Sequence, residues 1–167
     1  MTAPAKTHPL VTAAAIAAGS DYPFRHPLNP RGEIHFRGID GQSMSERAGL
    51  RRLSVYTARI PPGAESFAYH RHHYEEEWLY VLGGRGVLVI DDVEHEIGPG
   101  DFAGFPARGP AHLVKNPFDA DLVLLTGGER CAMEVADFPQ LGKRMIRSGG
   151  ESWFVDDEAM AKIEFGE

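Results

Sequence analysis

WLYVLGGRGVLVIDDVEHEIGPGDFAGFP, residues 78–106, decides the fold. Its short runs of β-branched and aromatic residues, WLYVL (78–82), GVLVID (86–91), VEHEI (93–97) and FAGFP (102–106), are too short for helices. Gly83-Gly84-Arg85-Gly86, Asp91-Asp92 and Gly98-Pro99-Gly100-Asp101 separate them, and these are turn signals. Outward from this core, LSVYTARI (53–60) and ESFAYH (65–70) precede it, with Pro61-Pro62-Gly63 between them. AHLVKN (111–116) and DLVLLT (121–126) follow, after Gly109-Pro110. Close spacing leaves no room for crossover helices, so the pattern predicts an all-β antiparallel sandwich or barrel.

The rest of the chain frames this region. Its 167 residues fit one domain, and 43% hydrophobic with 25% charged residues is a globular composition. A net charge of −7 argues against nucleic-acid and anionic-membrane partners. The single cysteine, Cys131, excludes an internal disulfide framework and fits a reducing, cytoplasmic location. No apolar run reaches the roughly 20 residues of a membrane helix. Residues 1–50 read as an N-terminal extension. In it, LVTAAAIAA (10–18) forms a short docked helix stopped at Gly19, a reading preferred to a signal peptide because only Lys6 precedes it and Pro4 and Pro9 interrupt the approach. The prolines and glycines of residues 20–50 read as loop. Residues 51–130 form the barrel. Residues 131–167 supply one further strand, around FPQLGKRMIR (138–147), and an acidic tail anchored by Trp153 and Phe154.

The histidines locate the chemistry. His70, His72 and His73 lie within four residues, and His112 sits on a distant predicted strand. Residues i and i+2 of a strand share a face, so His70 and His72 point together while His73 turns away. Glu75, Glu76 and Glu77 follow and run straight into an apolar hairpin, where an unpaired charge is costly. Imidazoles with a carboxylate are the donor set of a divalent metal.

Two longer patterns carry a family resemblance. GAESFAYHRHHYEEEWLYVLGG contains Gly63, His70, His72, Glu77 and Gly84, and GDFAGFPARGPAHLVKN contains Gly100, Pro106, Gly109, His112 and Asn116. Over roughly residues 53–126 the chain resembles the cupins, with one extra residue in each motif, between Gly63 and His70 and between Pro106 and Gly109. The resemblance implies a double-stranded β-helix, or jelly-roll barrel, and one divalent ion per chain held by His70, His72, Glu77 and His112. Glu77 is preferred to Glu76 because it opens the apolar strand, with six residues between it and the motif's Gly84. Glu75 shares its parity and suits an outer role. Three imidazoles and one carboxylate leave a net charge near +1 and two open positions on an octahedral ion. They suit Fe, Mn, Ni, Co or Zn alike.

Two function classes follow. One is a metalloenzyme acting on a small organic molecule by dioxygenase or isomerase/lyase chemistry; the other is a non-catalytic ligand-binding or sensory module. Parity assigns Leu79 and Val81 to the interior and Trp78 and Tyr80 to the outside. At least one of Phe102 and Phe105 is core. Tyr56, Tyr69 and Arg59 are candidate substrate contacts with equal claim to be surface groups, and Cys131 reads as a small apolar filler. A homodimer is expected, the N-terminal segment lying along a partner's sheet edge.

Overall fold

The computed structural model describes residues 7–161 and 163. Lys6, Pro4 and the end of the acidic tail (164–167) lie outside the described residues. In chain order, helix α1 (Ala13–Ala17) leads to strands β1 (Ser20–Arg25) and β2 (Glu33–Gly38) and the one-turn helix α2 (Met44–Arg47). Then come β3 (Leu53–Ile60), β4 (Arg71–His72), β5 (Glu77–Gly83), β6 (Gly86–Ile90), β7 (Val93–Ile97), β8 (Phe102–Phe105), β9 (His112–Lys115) and β10 (Leu122–Glu129). β11 (Met133–Phe138), β12 (Lys143–Ser148) and β13 (Glu151–Asp156) complete the strands.

One layer is a six-stranded sheet in the order β1-β2-β3-β10-β5-β8; the other consists of β7-β6-β9 and β13-β12-β11-β4. Residues 65–72 stitch the latter two together: His70 bridges His112 of β9, while Arg71 and His72 pair with Asp137 and Ala136 of β11. The result is the expected jelly-roll-like sandwich. Ile60, Leu79, Val81, Leu122 and Leu124 of the first layer pack on Leu88, Ile97 and Val114 of the second, all nearly inaccessible to water. Leu79 and Val81 point inward and Tyr80 is exposed, as strand alternation requires. Phe105 is core, whereas Phe102 is 66% exposed.

Three expectations need correction. ESFAYH is not a regular strand; it touches the sheet through isolated bridges at Glu65 and His70. Residues 20–50 are not loop, because β1 and β2 pair along their whole length and β2 joins β3 of the same chain. The strand survives Pro23 because β1 is an edge, where a missing N–H need not break a ladder. The alternation of Ile34 and Phe36 with His35 and Arg37 was its signal. Ser43 and Glu46 form a capping box that starts α2.

The C-terminal segment holds three strands and not one. Ser148 pairs with Glu151 across Gly149-Gly150, whose φ angles of 62° and 85° are those of a type I′ hairpin turn. Trp153 and Phe154 are 46% and 41% exposed, and Phe154 packs against Phe138 at 5.8 Å. Gly84 sits at φ 77° with Asp121 O 2.1 Å from where a Cβ would be, so the motif glycine closes the β5–β6 turn against the start of β10.

Candidate metal centre and its two chambers

The bridge between residue 70 and β9 brings the sequence-distant histidines together. His70 Nε2, His72 Nε2 and His112 Nε2 lie 3.7, 3.3 and 3.4 Å from a single oxygen, Oε2 of Glu77. Glu77 opens β5, opposite Phe105 of β8. Phe105 in turn stacks on the His112 ring at 3.7 Å and 5°, which fixes that ring's plane.

Second contacts set the tautomers. His70 Nδ1 donates to Ala68 O at 2.8 Å and His112 Nδ1 faces Pro110 O at 3.5 Å, which turns each Nε2 lone pair toward the centre. His72 has no hydrogen-bond partner at either buried ring nitrogen, although Nδ1 lies 3.4 Å from Glu134 Oε1. Buried imidazole nitrogens without partners need one. Donors on an ion about 2.1 Å away and at right angles sit about 3 Å apart, and each imidazole here stands 3.3–3.7 Å from the Glu77 oxygen. His70, Glu77 and His112 offer donor atoms within 4.8 Å of one another and fit a divalent ion, while His72 groups as closely with Glu75 and Glu134 and reaches this centre through Glu77.

The electrostatics agree. Burial pushes the Glu77 carboxyl up, yet the facing imidazoles of His112, His70 and His72 outweigh it and hold it well below the usual carboxylate range. Burial pushes His112 down and prevails over its bond to Glu77. His72 is pushed down by burial too, but Glu77 and the charges of Glu134 and Glu75 bring it above its ordinary value.

His73 turns away, as alternation requires, and its Nε2 meets Asp137 Oδ2 at 2.9 Å. Asp137 also accepts from Arg144 (2.7 Å) and Arg71 (3.1 Å). Burial raises its carboxyl, but these three partners win and hold it below the ordinary value. A depressed carboxyl stabilises the fold above the unfolded-chain pKa and loses that contribution as pH falls through the folded one. Asp137→Asn should therefore be less stable than wild type at about pH 5, with the gap closing toward about pH 3. Chemical denaturation at both pH values checks this, and a constant gap would refute it.

Two chambers flank the centre. The polar one, about 440 Å³, is lined by Tyr56, Glu75, Glu129, Arg130, Cys131 and Arg147 among others. An aromatic one, about 420 Å³, is lined by Phe24, His26, Phe67, Phe138, Met145 and Phe154 together with Pro27, Ser152 and Arg147. His70 borders the aromatic chamber, and His72 and Glu77 border both. Burial, assisted by His70, pushes His26 down to about 4, so it is neutral near pH 7.

The remaining candidates divide. Tyr56 lies in the polar chamber and accepts from Arg130 at 3.2 Å. Tyr69 instead accepts from the Asp92 N–H at 3.0 Å, and Arg59 pairs with Asp121 at 3.2 Å, both away from the four ligands. Glu75 stands behind His72, accepting from Cys131 N (2.7 Å) and Arg147. Burial and the nearby carboxylates Glu75 and Glu129 push the Cys131 thiol up, the opposite of a nucleophile's environment.

Sequence reasoning missed Glu134, fully buried on β11, where it accepts from the N–H groups of His73 (2.9 Å) and Glu75 (2.7 Å). The signal was its parity with Ala136 and Phe138: a charged residue on a buried strand face. It also missed the aromatic chamber, whose walls come from the segment read as loop (Phe24, His26, Pro27), two segments read as strands (Phe67; Phe138 and Met145) and the tail (Phe154).

The family model of the Cupin domain matches residues 56–128. An uncharacterized protein of Methanocaldococcus jannaschii is 32% identical over 74 residues, which is 44% of this chain; the match spans 58% of that relative's length. The crystal structure of a provisionally named sugar phosphate isomerase of Acidithiobacillus ferrooxidans is 36% identical, with a TM-score of 0.87 over 93% of this chain and 97% of that one. A sugar phosphate isomerase of Silicibacter pomeroyi, from a cupin superfamily, is 25% identical with a TM-score of 0.74, over 88% and 94% of the two chains.

Proposed function

This chain belongs to the cupin superfamily, and from that premise we propose that it is a divalent-metal-dependent enzyme acting on a small organic molecule by isomerase chemistry. The observation that carries the reading is the convergence of three imidazole Nε2 atoms on one Glu77 oxygen beside two chambers. His70, His72, Glu77 and His112 hold the ion; the names of the relatives from Acidithiobacillus and Silicibacter favour isomerisation over dioxygenation.

The bound ion supplies Lewis-acid polarisation of a substrate oxygen. The chain's own residues do the rest. Phe105 holds the His112 ring, and the Ala68 and Pro110 carbonyls keep the other ring nitrogens of His70 and His112 protonated. Glu75 and Glu129 line the polar chamber, where a carboxyl can carry a proton between neighbouring carbons. We assign the metal centre to residues 51–130, and the chamber walls partly to 1–50 and 131–167.

The test is elemental analysis of protein purified without a metal-affinity tag, followed by incubation with hydroxy-aldehydes and hydroxy-ketones in D2O. We expect about one divalent ion per chain and deuterium entering beside the carbonyl. Oxygen uptake without exchange would replace isomerase by dioxygenase chemistry; turnover of nothing, with metal bound, would favour the binding module.

We further propose a cytoplasmic homodimer. The single thiol fits a reducing compartment, and no helix among the described residues is long and apolar enough to cross a membrane. Since β1 and β2 fill their own chain's sheet, the contact is assigned to the opposite edge at β8, where Tyr80, Leu82 and Phe102 are exposed by 40%, 48% and 66%. Light scattering should give twice the chain mass of 18.3 kDa, and Phe102→Asp should halve it. A wild-type mass of one chain would refute the dimer.

A further inference from the structure

We propose that the aromatic chamber binds the apolar body of the substrate, an aromatic or branched aliphatic group on an oxygen-bearing head, and that phosphate esters are not the substrates. This rests on the metal-centre reading above and goes beyond the relatives' names.

Phe24, Pro27, Phe67, Phe138, Met145 and Phe154 give this chamber a predominantly apolar wall that reaches His70, His72 and Glu77. At about 420 Å³ it has the size of a small-molecule pocket. Phe24 and Phe154 stay 37% and 41% exposed, so two phenyl rings face water at a cavity mouth. Phe138 meets Phe154 edge-on at 5.8 Å, and Phe24 approaches Phe67 to 5.4 Å, so the wall is a packed aromatic cluster. Among the described residues, its polar members besides the metal-site residues are His26, Ser152 and Arg147.

The charges point the same way. Recognition of a phosphate dianion calls for free Arg or Lys, or a cluster of backbone N–H groups. The described cations lining the two chambers, the histidines aside, are Arg130 and Arg147. Arg147 is held by Glu75; Arg130 is held by Glu46 at 3.0 Å, Ser54 at 2.7 Å and Tyr56 at 3.2 Å. Outside the metal centre, Glu75 and Glu129 add carboxyls to the polar chamber. A dianion there meets cations already paired and two further carboxyls. A head with neutral or singly charged oxygens can bridge to the centre while its body fills the aromatic side.

Mandelate and lactate share one α-hydroxy acid head and differ by phenyl against methyl. Binding of each, and of ribose 5-phosphate, is measured by calorimetry and ligand-observed NMR on Ni(II)-loaded and metal-free protein, with Ni(II) content determined separately. Mandelate should bind at least about tenfold tighter than lactate in both states, because phenyl buries more apolar surface. Phe24→Ala and Phe154→Ala, at half-exposed positions, should each weaken mandelate about three- to tenfold and leave lactate unchanged, with folding checked by circular dichroism. Trp153→Ala, on the other face of β13, should change neither.

A mandelate-to-lactate ratio near one, indifference to both phenylalanine variants, or tighter binding of ribose 5-phosphate than of mandelate would overturn the proposal. Failure to take up Ni(II) would remove the metal reading alone, since the metal-free titration still decides the chamber's preference.

Discussion

His112→Ala and His72→Ala should each abolish stoichiometric metal binding, while His73→Ala should leave it unchanged. Losing even an outer partner of a metal ligand costs about 10- to 100-fold in affinity, and a direct ligand costs more. His112 and His72 each point Nε2 at Glu77 Oε2, from 3.4 and 3.3 Å, whereas His73 is spent on Asp137. Metal per chain in the three variants, after dialysis against a weak chelator, decides the matter. Full occupancy in His112→Ala, or loss in His73→Ala, would overturn the assignment. Acid should release the ion from wild type toward about pH 5, because protons then compete with it for the imidazole nitrogens. The barrel should outlast the metal, since Ile60, Val81, Leu122 and Leu124 form a core that does not include the ligands.

Glu134→Ala should destabilise the protein by about 2–4 kcal/mol, chiefly by stranding a buried donor and opening a cavity. The Glu75 N–H would lose its acceptor; the His73 N–H keeps the Val135 carbonyl at 2.9 Å. Glu134→Gln retains one carbonyl acceptor and should fall between the two. Because Glu134 Oε1 faces His72 Nδ1 at 3.4 Å, metal affinity should drop by about tenfold or more in the alanine variant even where it remains folded. Urea denaturation of the metal-free proteins and metal titration of the folded ones separate the two effects. A loss below about 0.5 kcal/mol with unaltered metal affinity would show that Glu134 supports neither.

The central barrel was legible because each strand is short, alternates and ends at a strong turn signal. LSVYTARI and VEHEI match β3 and β7 residue for residue. That His70, His72, Glu77 and His112 would gather at one place was legible because a motif of fixed spacing carries them, although His70 sits on an isolated bridge and not on a regular strand. The flanks were harder, for physical reasons that differ. Pro23 reads as a breaker unless its strand is known to be an edge, a tertiary fact. Gly149-Gly150 is a hairpin signal, but the strands it joins, KRMIRS and ESWFVD, carry charges that obscure their alternation. The aromatic chamber was invisible because its walls, Phe24, Phe67, Phe138 and Phe154, are scattered along the chain and meet only after the sheets pack. Glu134 was a local signal overlooked.

The pairing of β3 with β10, which sets Leu53 against Glu129, has a kinetic consequence. The two strands form the middle of the six-stranded sheet, and the segment they enclose contains His70, His72, Glu77 and His112. Closing so long a loop costs entropy before any contact repays it, so such topologies fold slowly. The donors cannot converge until residue 70 has docked beside β9 inside that closed loop. During folding the nascent chain thus offers a metal ion only pairs such as His70 and His72, and the grip on it tightens in the last step, together with the packing of the two sheets.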